Sequence, residues 1–346
     1  MHKEILIEDL KKKIAQSPNC DENYRALANI YVADEDYENA LKVYEELLKN
    51  FPDDMQALIN TGSIYFYKKN YEKAIENYLR ANKSDSSSFA VNYNLGNVYA
   101  EIGSFQNALK YYNKALEIKP NTADVYSAIG FLYQDNEDYQ EARRFYQKAI
   151  DIDPNCPEYH INLANIYQKI DEYASACEHY KIAYEYDESD KKACLCLANA
   201  YASLENFSEA EKYFEYTTKV DPNYYPAWVC WAIAKADEGD LDKAIMLFKH
   251  AIELDVSKPN AYLLLANILI TQKRYQEAIG LYEKALKLTN NGTKIYVLMA
   301  NAYMMLDEPS MAAKYYRLAM KEEPENLEIK LIYTDVANNF ILKKVG

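Results

Sequence analysis

The chain has 346 residues with only eight glycines and ten prolines; 49% are hydrophobic and 27% charged, and 39 basic side chains stand against 53 acidic ones for a net charge of −14. So few turn residues, with enough apolar material for a core, exclude whole-chain disorder and predict a mostly helical protein. The acidic balance opposes non-specific attraction to phosphate backbones or anionic lipid, which excludes nucleic acid as an expected partner, and no apolar run approaches the roughly 20 residues of a membrane span.

At the N-terminus, Met1-His2-Lys3-Glu4-Ile5-Leu6-Ile7-Glu8-Asp9 interrupts its apolar residues with acids and has no secretory h-region, so a cytoplasmic protein is expected. Residues 1–20 predict a lone capping helix, because Leu6, Leu10 and Pro18 keep the register of the second half of a repeat. A 34-residue period then runs nine times without a gap, over 21–54, 55–88, 89–122, 123–156, 157–190, 191–224, 225–258, 259–292 and 293–326. Position 20 of every unit is alanine (Ala40 through Ala312), position 8 is glycine or alanine, and position 24 is Tyr or Phe. Apolar or small residues at positions 4, 7, 8 and 11, and again at 20, 24 and 27, make two amphipathic helices per unit. The small residues allow close approach of the two backbones, and the rings fill the space between hairpins. Pro52, Pro120, Pro154, Pro222 and Pro324 close units at position 32, while Pro157, Pro226, Pro259 and Pro309 fall in first turns, so none interrupts a helix. Repeat 7 departs most. Lys235 and Leu241 replace aromatic residues there, and Trp228 and Trp231 are the chain's only tryptophans. The expectation is local repacking with the lysine stem over apolar surface, with a softer joint or a partly exposed Trp228 anchor as alternatives. Residues 327–346, with Leu327, Ile329, Leu331 and Ile332 before Lys343-Lys344, predict a final helix whose apolar side seals repeat 9, leaving no segment for another domain.

This pattern resembles the tetratricopeptide repeat. Repeat 3 carries the signature as Leu95-Gly96, Tyr99, Ala108, Tyr112, Ala115 and Pro120, and repeat 4 as Tyr126, Ile129-Gly130, Tyr133, Ala142, Tyr146, Ala149 and Pro154. The resemblance implies an all-α, right-handed superhelical solenoid of helix-turn-helix units, with positions 2, 5, 6, 9, 12 and 13 of each first helix on the concave side. Asparagine recurs on that wall, at position 6 as Asn60, Asn94 and Asn162 and at position 9 as Asn29, Asn97, Asn165, Asn199, Asn267 and Asn301. It is a poor residue for a helix interior, and its amide offers both a donor and an acceptor, as an extended peptide backbone requires. The position 9 amides have two readings, binding a peptide or bonding to the next unit for structure alone.

Two resemblances bear on the wall. Co-chaperone repeats grip a C-terminal carboxylate with a Lys-Asn-Asn-Lys-Arg clamp; Arg25, Asn29 and Asn60 match it, but Ala90 and Asn94 stand where Lys and Arg are expected. The peptide-binding arm of O-GlcNAc transferase has an asparagine ladder that Asn94-Leu95-Gly96-Asn97 and Asn162-Leu163-Ala164-Asn165 are similar to, interrupted at Ala128, Cys196 and Cys230. Predicted lining charges are mixed: Glu22, Glu101, Asp124, Asp135, Glu158 and Asp237 against Arg25, Lys169, Lys192 and Lys294. From repeat 6 onward the wall turns apolar, with Leu264, Leu298, Met304 and Met305. The expectation is an amide-lined half for an extended segment and an apolar, Met-containing half for a helix or hydrophobic stretch.

No catalytic constellation stands out. There is no phosphate-cradling glycine loop, the histidines at 2, 160, 179 and 250 are dispersed, and no cofactor or metal is expected. Cys194 and Cys196 point about 200° apart on a helix, which favours packing over a metal pair, and all six cysteines read as free thiols. A non-enzymatic scaffold that binds a protein or peptide segment is the leading expectation. The alternatives are a substrate-recruiting subunit of a separate enzyme, such as a glycosyltransferase, and a secretion or assembly chaperone; the oligomeric state is open.

Overall fold

The computed structural model describes the backbone of residues 2–345 and the side chains of residues 3–336; His2, Lys343 and Lys344 as side chains, and Gly346 altogether, lie outside the described residues. Among these residues every regular element is an α-helix. The chain divides into two compact units, residues 1–170 and 171–346.

In the first unit, α1 (His2–Gln16) precedes four hairpins: α2 (Asp21–Ala33) with α3 (Tyr37–Asn50), α4 (Met55–Tyr67) with α5 (Tyr71–Ser84), α6 (Phe89–Glu101) with α7 (Phe105–Ile118), and α8 (Ala123–Asp135) with α9 (Tyr139–Ile152). The unit ends in α10 (Pro157–Lys169). The second unit starts with α11 (Tyr173–Tyr186). Four hairpins follow: α12 (Lys191–Ser203) with α13 (Phe207–Val220), α14 (Tyr225–Glu238) with α15 (Leu241–Leu254), α16 (Pro259–Thr271) with α17 (Tyr275–Leu286), and α18 (Thr293–Met305) with α19 (Pro309–Glu322), before α20 (Leu327–Val345). Within each unit a hairpin's second helix packs on the first helix of the next hairpin. This is the stacking that the 34-residue period implies.

Turn chemistry fixes where the second helices start. Asp36, Asn70, Asp138, Asn206 and Asp240 each accept the backbone N–H three residues on, satisfying one of the orphan donors of a helix N-terminus. At position 15 of all nine repeats, two residues before the second helix, the backbone is left-handed, yet only Gly103 and Gly239 are glycines; Glu35, Lys69, Glu137, Asp171, Glu205, Lys273 and Asp307 adopt it at the usual cost to an L-residue.

The core lies along the hairpin seam. The position 20 alanines are all buried and the position 24 rings from Tyr44 to Tyr316 are buried against them. A Cβ placed on Gly62, Gly96 or Gly130 would lie 2.6, 2.4 or 2.8 Å from the ring of Tyr78, Tyr112 or Tyr146, so glycine is required for this approach of ring to backbone.

The ends differ in detail from the sequence expectation. Leu10 and Ile14 of α1 are buried with Tyr24 and Leu27, whereas Leu6 faces outward. On α20, Ile329 and Val336 are buried, with Ile332 and Tyr333 half-covered, but Leu327 and Leu331 are 76% and 69% exposed. The apolar side that packs is therefore narrower than the run of apolar residues.

Candidate functional site

The position 9 asparagines belong first to the hairpins. Tyr44 Oη donates to Asn29 Oδ1 at 3.1 Å, Tyr112 Oη to Asn97 Oδ1 at 2.8 Å and Tyr282 Oη to Asn267 Oδ1 at 2.7 Å, and Tyr316 makes the same bond to Asn301. Each bond ties the buried position 24 ring to the first helix of its own hairpin, not to the next unit. A buried phenol needs such a partner, and the amide carbonyl of the residue next to the small one at position 8 is within reach. Where position 9 is not asparagine the tie is remade: Ser63 Oγ lies 2.9 Å from Tyr78 Oη, and Tyr146 Oη donates to Gln134 Oε1 at 3.1 Å. Repeat 6 has Phe214 in place of the tyrosine, and Asn199 turns its amide to Cys230 Sγ at 3.7 Å. Asn165, half-buried on α10, occupies the corresponding place in repeat 5.

Position 6 behaves differently along the chain. Asn60 donates to Tyr44 Oη at 2.8 Å and accepts from Gln56 at 3.0 Å, so it joins two hairpins. Asn94 and Asn162 are half-buried, and among the described residues neither side chain has a hydrogen-bond partner. Arg25 pairs with Asp21, and with Asp54 at 3.5 Å. It is therefore a neutralised cation within the hairpin stack, unlike the open cation that a carboxylate clamp needs.

Asn97 and Asn162 line a cavity of about 700 Å³ formed mainly by the first helices of repeats 3 to 5, with Phe66 of α4 and Tyr112 of α7 completing it. Apart from Tyr112 and Tyr159, its wall is built from the positions expected on the concave side. Glu101, Asp124, Asp135 and Glu158 supply four carboxylates, and Phe66, Tyr93, Tyr112, Phe131 and Tyr159 supply aromatic surface. Tyr159 Oη donates to Asp124 Oδ1 at 2.5 Å; burial and this carboxylate push the phenol well above its ordinary range. Tyr93 is raised by burial first and then by the charges of Asp124 and Glu158. The charges were visible in the sequence, but totalled over the whole wall they are largely offset by Lys169, Lys192, Lys294 and Arg25, none of which lines this cavity. Grouping the lining charges repeat by repeat isolates them.

In the second unit, Leu264 and Leu298 are half-covered by the core, and Met305 is the most open of the expected apolar residues at 64% exposure. Lys235 does not lie over apolar surface alone. Its side chain is 7% exposed and its ammonium reaches Glu211 at 2.8 Å and Glu238 at 2.7 Å, and Glu211 also meets Lys243. Burial alone would lower the Lys235 pKa, but the two carboxylates hold it above its ordinary value. Trp228 is half-buried, stacks near Trp231 and edge-on to His250, and donates its indole N–H to the Pro222 carbonyl. His160 is buried with Nε2 3.0 Å from the Pro154 carbonyl. Burial pushes the Cys177 and Cys196 thiols up to about 11, which disfavours the nucleophilic thiolate. Among the described residues no group of three or more His, Cys, Asp or Glu side chains is placed to hold a metal ion, and no helix is long and apolar enough to cross a membrane.

Family models described as tetratricopeptide repeat match residues 25–88, 87–155, 128–193, 192–224, 226–291 and 269–335. The chain belongs to the tetratricopeptide repeat family. Solved structures similar to this tetratricopeptide repeat protein include one from Parabacteroides merdae, 18% identical, with a TM-score of 0.58 over 72% of this chain and 98% of that one. Yeast Tom70 is 15% identical, with a TM-score of 0.55 over 98% of this chain and 96% of its own. YrrB, described as a TPR protein with an unusual peptide-binding site, is 23% identical with a TM-score of 0.48 over 54% and 97%. No curated protein matches in sequence. The identities are low enough that the likeness is one of fold.

Proposed function

We propose that the chain is a non-enzymatic interaction scaffold that holds a segment of a partner protein against the inward positions of its first helices. The observation that carries this reading is the open cavity of repeats 3 to 5, whose wall combines aromatic surface, carboxylates and the uncommitted amide of Asn162. A single extended strand presents unpaired backbone donors and acceptors at every residue, and a side-chain amide answers both kinds without dictating sequence. The amides of Asn94 and Asn162 serve that purpose in this reading. Those of Asn29, Asn97, Asn267 and Asn301 have their oxygens engaged by tyrosine and retain only the NH2 group for a ligand.

The test is affinity capture with the whole chain, followed by mass spectrometry and by titration of the recovered partner against wild type and the Asn94→Ala, Asn162→Ala double variant. The expected loss is about 1 to 3 kcal/mol of binding free energy in sum, with an unchanged melting curve, since neither amide holds another residue. Equal affinity for both proteins removes the amides from the interface. A single stoichiometric partner with catalytic activity points to a recruiting subunit, and a broad set of unfolded clients to a chaperone. Among these the exposed Met304 and Met305 favour a hydrophobic client in the second unit.

A further inference from the structure

We infer that the cavity of repeats 3 to 5 takes an arginine-bearing, positively charged segment of a partner protein, with the guanidinium over the Phe131 ring and between the carboxylates of Glu101, Asp124, Asp135 and Glu158. This inference rests on the scaffold reading and adds the chemistry of what is held. Two independent observations carry it.

The first is charge without compensation. Some acids on the hairpin stack meet their own cations: Asp21 and Asp54 meet Arg25, Asp221 meets Lys191, and Glu211 meets Lys235 and Lys243. Among the described residues no lysine or arginine pairs with any of the four cavity carboxylates, and no basic side chain lines the cavity. Like charges gathered on one low-dielectric wall raise the potential inside it, and a cation entering from solution relieves that repulsion.

The second is an aromatic ring that the fold does not need. In eight of the nine repeats position 9 is Asn, Ser or, in repeat 7, Ile, and in repeats 1, 2, 3, 8 and 9 the ring hydroxyl meets the Asn or Ser at that position. Repeat 4 places Phe131 there, moves the tie to Gln134, and leaves the Phe131 ring 57% exposed on the cavity wall. Burial does not explain this ring. The same repeats show what their other aromatic faces accept: Lys148 sits 5.3 Å over Tyr126 and 5.2 Å over Phe145, and Lys119 sits 4.8 Å over Phe89. The rings that line the cavity have no such cation from the chain itself among the described residues. A guanidinium suits the vacancy in this pattern better than an ammonium, because its planar fork stacks on a ring face while its edge donates to carboxylates.

The experiment uses the full chain and dye-labelled octapeptides read by fluorescence anisotropy at low and moderate salt. One peptide is Gly-Ser-Arg-Ser-Gly-Arg-Ser-Gly; a second carries citrulline for both arginines, which keeps shape and removes charge; a third carries glutamate. The arginine peptide is expected to bind, and the citrulline peptide to bind about tenfold more weakly or worse, as loss of charge-assisted hydrogen bonds predicts. Glu101→Gln with Glu158→Gln, neither of which holds a structural partner, should weaken the arginine peptide by about tenfold. Phe131→Asn, which restores the residue type of other repeats, should weaken it several-fold with an unchanged melting curve. Glu76→Gln with Glu117→Gln removes the same charge from exposed positions on α5 and α7 and should leave binding unchanged. Equal binding of the arginine and citrulline peptides, preference for the glutamate peptide, or equal weakening by the outer control pair overturns the inference. Equal arginine and citrulline binding that is still weakened by Asn94→Ala with Asn162→Ala overturns the cationic partner while leaving the scaffold reading in place. Absence of binding by all three peptides overturns it too, and the capture experiment then judges the scaffold separately.

Discussion

Repeats 2 to 4 and repeats 6 and 7 use one hairpin design and hold its second helix in different ways. In the former, a tyrosine at position 24 lies flat against a glycine at position 8 and sends its hydroxyl to a polar side chain on the first helix. In the latter the ring is Phe214 or Phe248, position 8 is Ala198 or Ala232, and the polar contact is instead the ion network of Lys235 with Glu211, Glu238 and Lys243. Losing one hydroxyl frees position 9, which becomes Ile233 in repeat 7 and in repeat 6 an asparagine bonded to Cys230. An inward-facing asparagine thus has to be judged with the ring fifteen residues on. Only after the hydroxyl has been served is its amide available to a partner.

The contrast breaks most severely at the glycine. Gly96→Ala places a methyl 2.4 Å from a Tyr112 ring carbon, and that ring is buried and tied to Asn97, so it has little room to yield. Alanine favours helix by about 1 kcal/mol over glycine, yet overpacking should win and lower stability by about 1 to 3 kcal/mol. In repeat 7 the same pair of residues works in reverse: Ala232→Gly creates no clash and should cost about 1 to 2 kcal/mol, through helix propensity and the loss of one buried methyl. Amide hydrogen exchange within each hairpin measures both, because a repeat array does not guarantee one all-or-none transition. A Gly96→Ala protein as protected as wild type would show that the ring is not fixed as described.

A smaller effect is expected from Glu211→Gln, which keeps the acceptor but removes the charge shared by Lys235 and Lys243. Lys235 would retain Glu238 alone. Fully buried pairs cost about 3 to 5 kcal/mol to break, but Glu211 is 27% exposed and solvent screening reduces this to about 1 to 2 kcal/mol. Burial alone would raise the Glu211 carboxyl, but its two lysines hold it below the ordinary 4.5. A depressed folded-state pKa contributes stability above the unfolded value and loses it as pH falls through the folded one. The wild-type advantage should therefore be full at neutral pH and shrink below about pH 4.5. A melting-temperature gap that stays constant down to pH 3 would assign the effect to packing.

The hairpin pairing, the buried alanine seam and the ring positions were legible in the sequence because each depends on the residue type at a fixed spacing. The left-handed turn residue was not, since seven of its nine occurrences are Glu, Lys or Asp, and nothing in those side chains announces positive φ. The tyrosine tie was legible only in part: Asn recurs at position 9, but its partner lies fifteen residues later on a different helix, and the expectation of a bond to the next unit overlooked that closer phenol. The carboxylate partners of Lys235 were missed for a related reason, as Glu211 lies 24 residues upstream in the preceding repeat. The acidic cavity was hidden by summing charges along the wall when three consecutive first helices decide the local potential.

The smallest effect sharpens the comparison most. Tyr112→Phe converts repeat 3 to the ring of repeats 6 and 7, deleting one hydrogen bond and leaving the Asn97 amide to solvent or ligand. Asn97 is only half-buried, so its oxygen regains water and the cost should stay near 0.5 to 1.5 kcal/mol, about that of one ordinary hydrogen bond. In the double-mutant cycle with Asn97→Ala, the second substitution should then cost little more, and the coupling energy should account for most of either single loss. Phe214→Tyr is the reverse change. It offers a hydroxyl to repeat 6, where Asn199 already stands at position 9, so near-neutral stability is expected if Asn199 exchanges its weak thiol contact for the phenol. Independent, additive losses in repeat 3 would separate the ring from the amide, and the inward asparagines would return to the pool of binding residues.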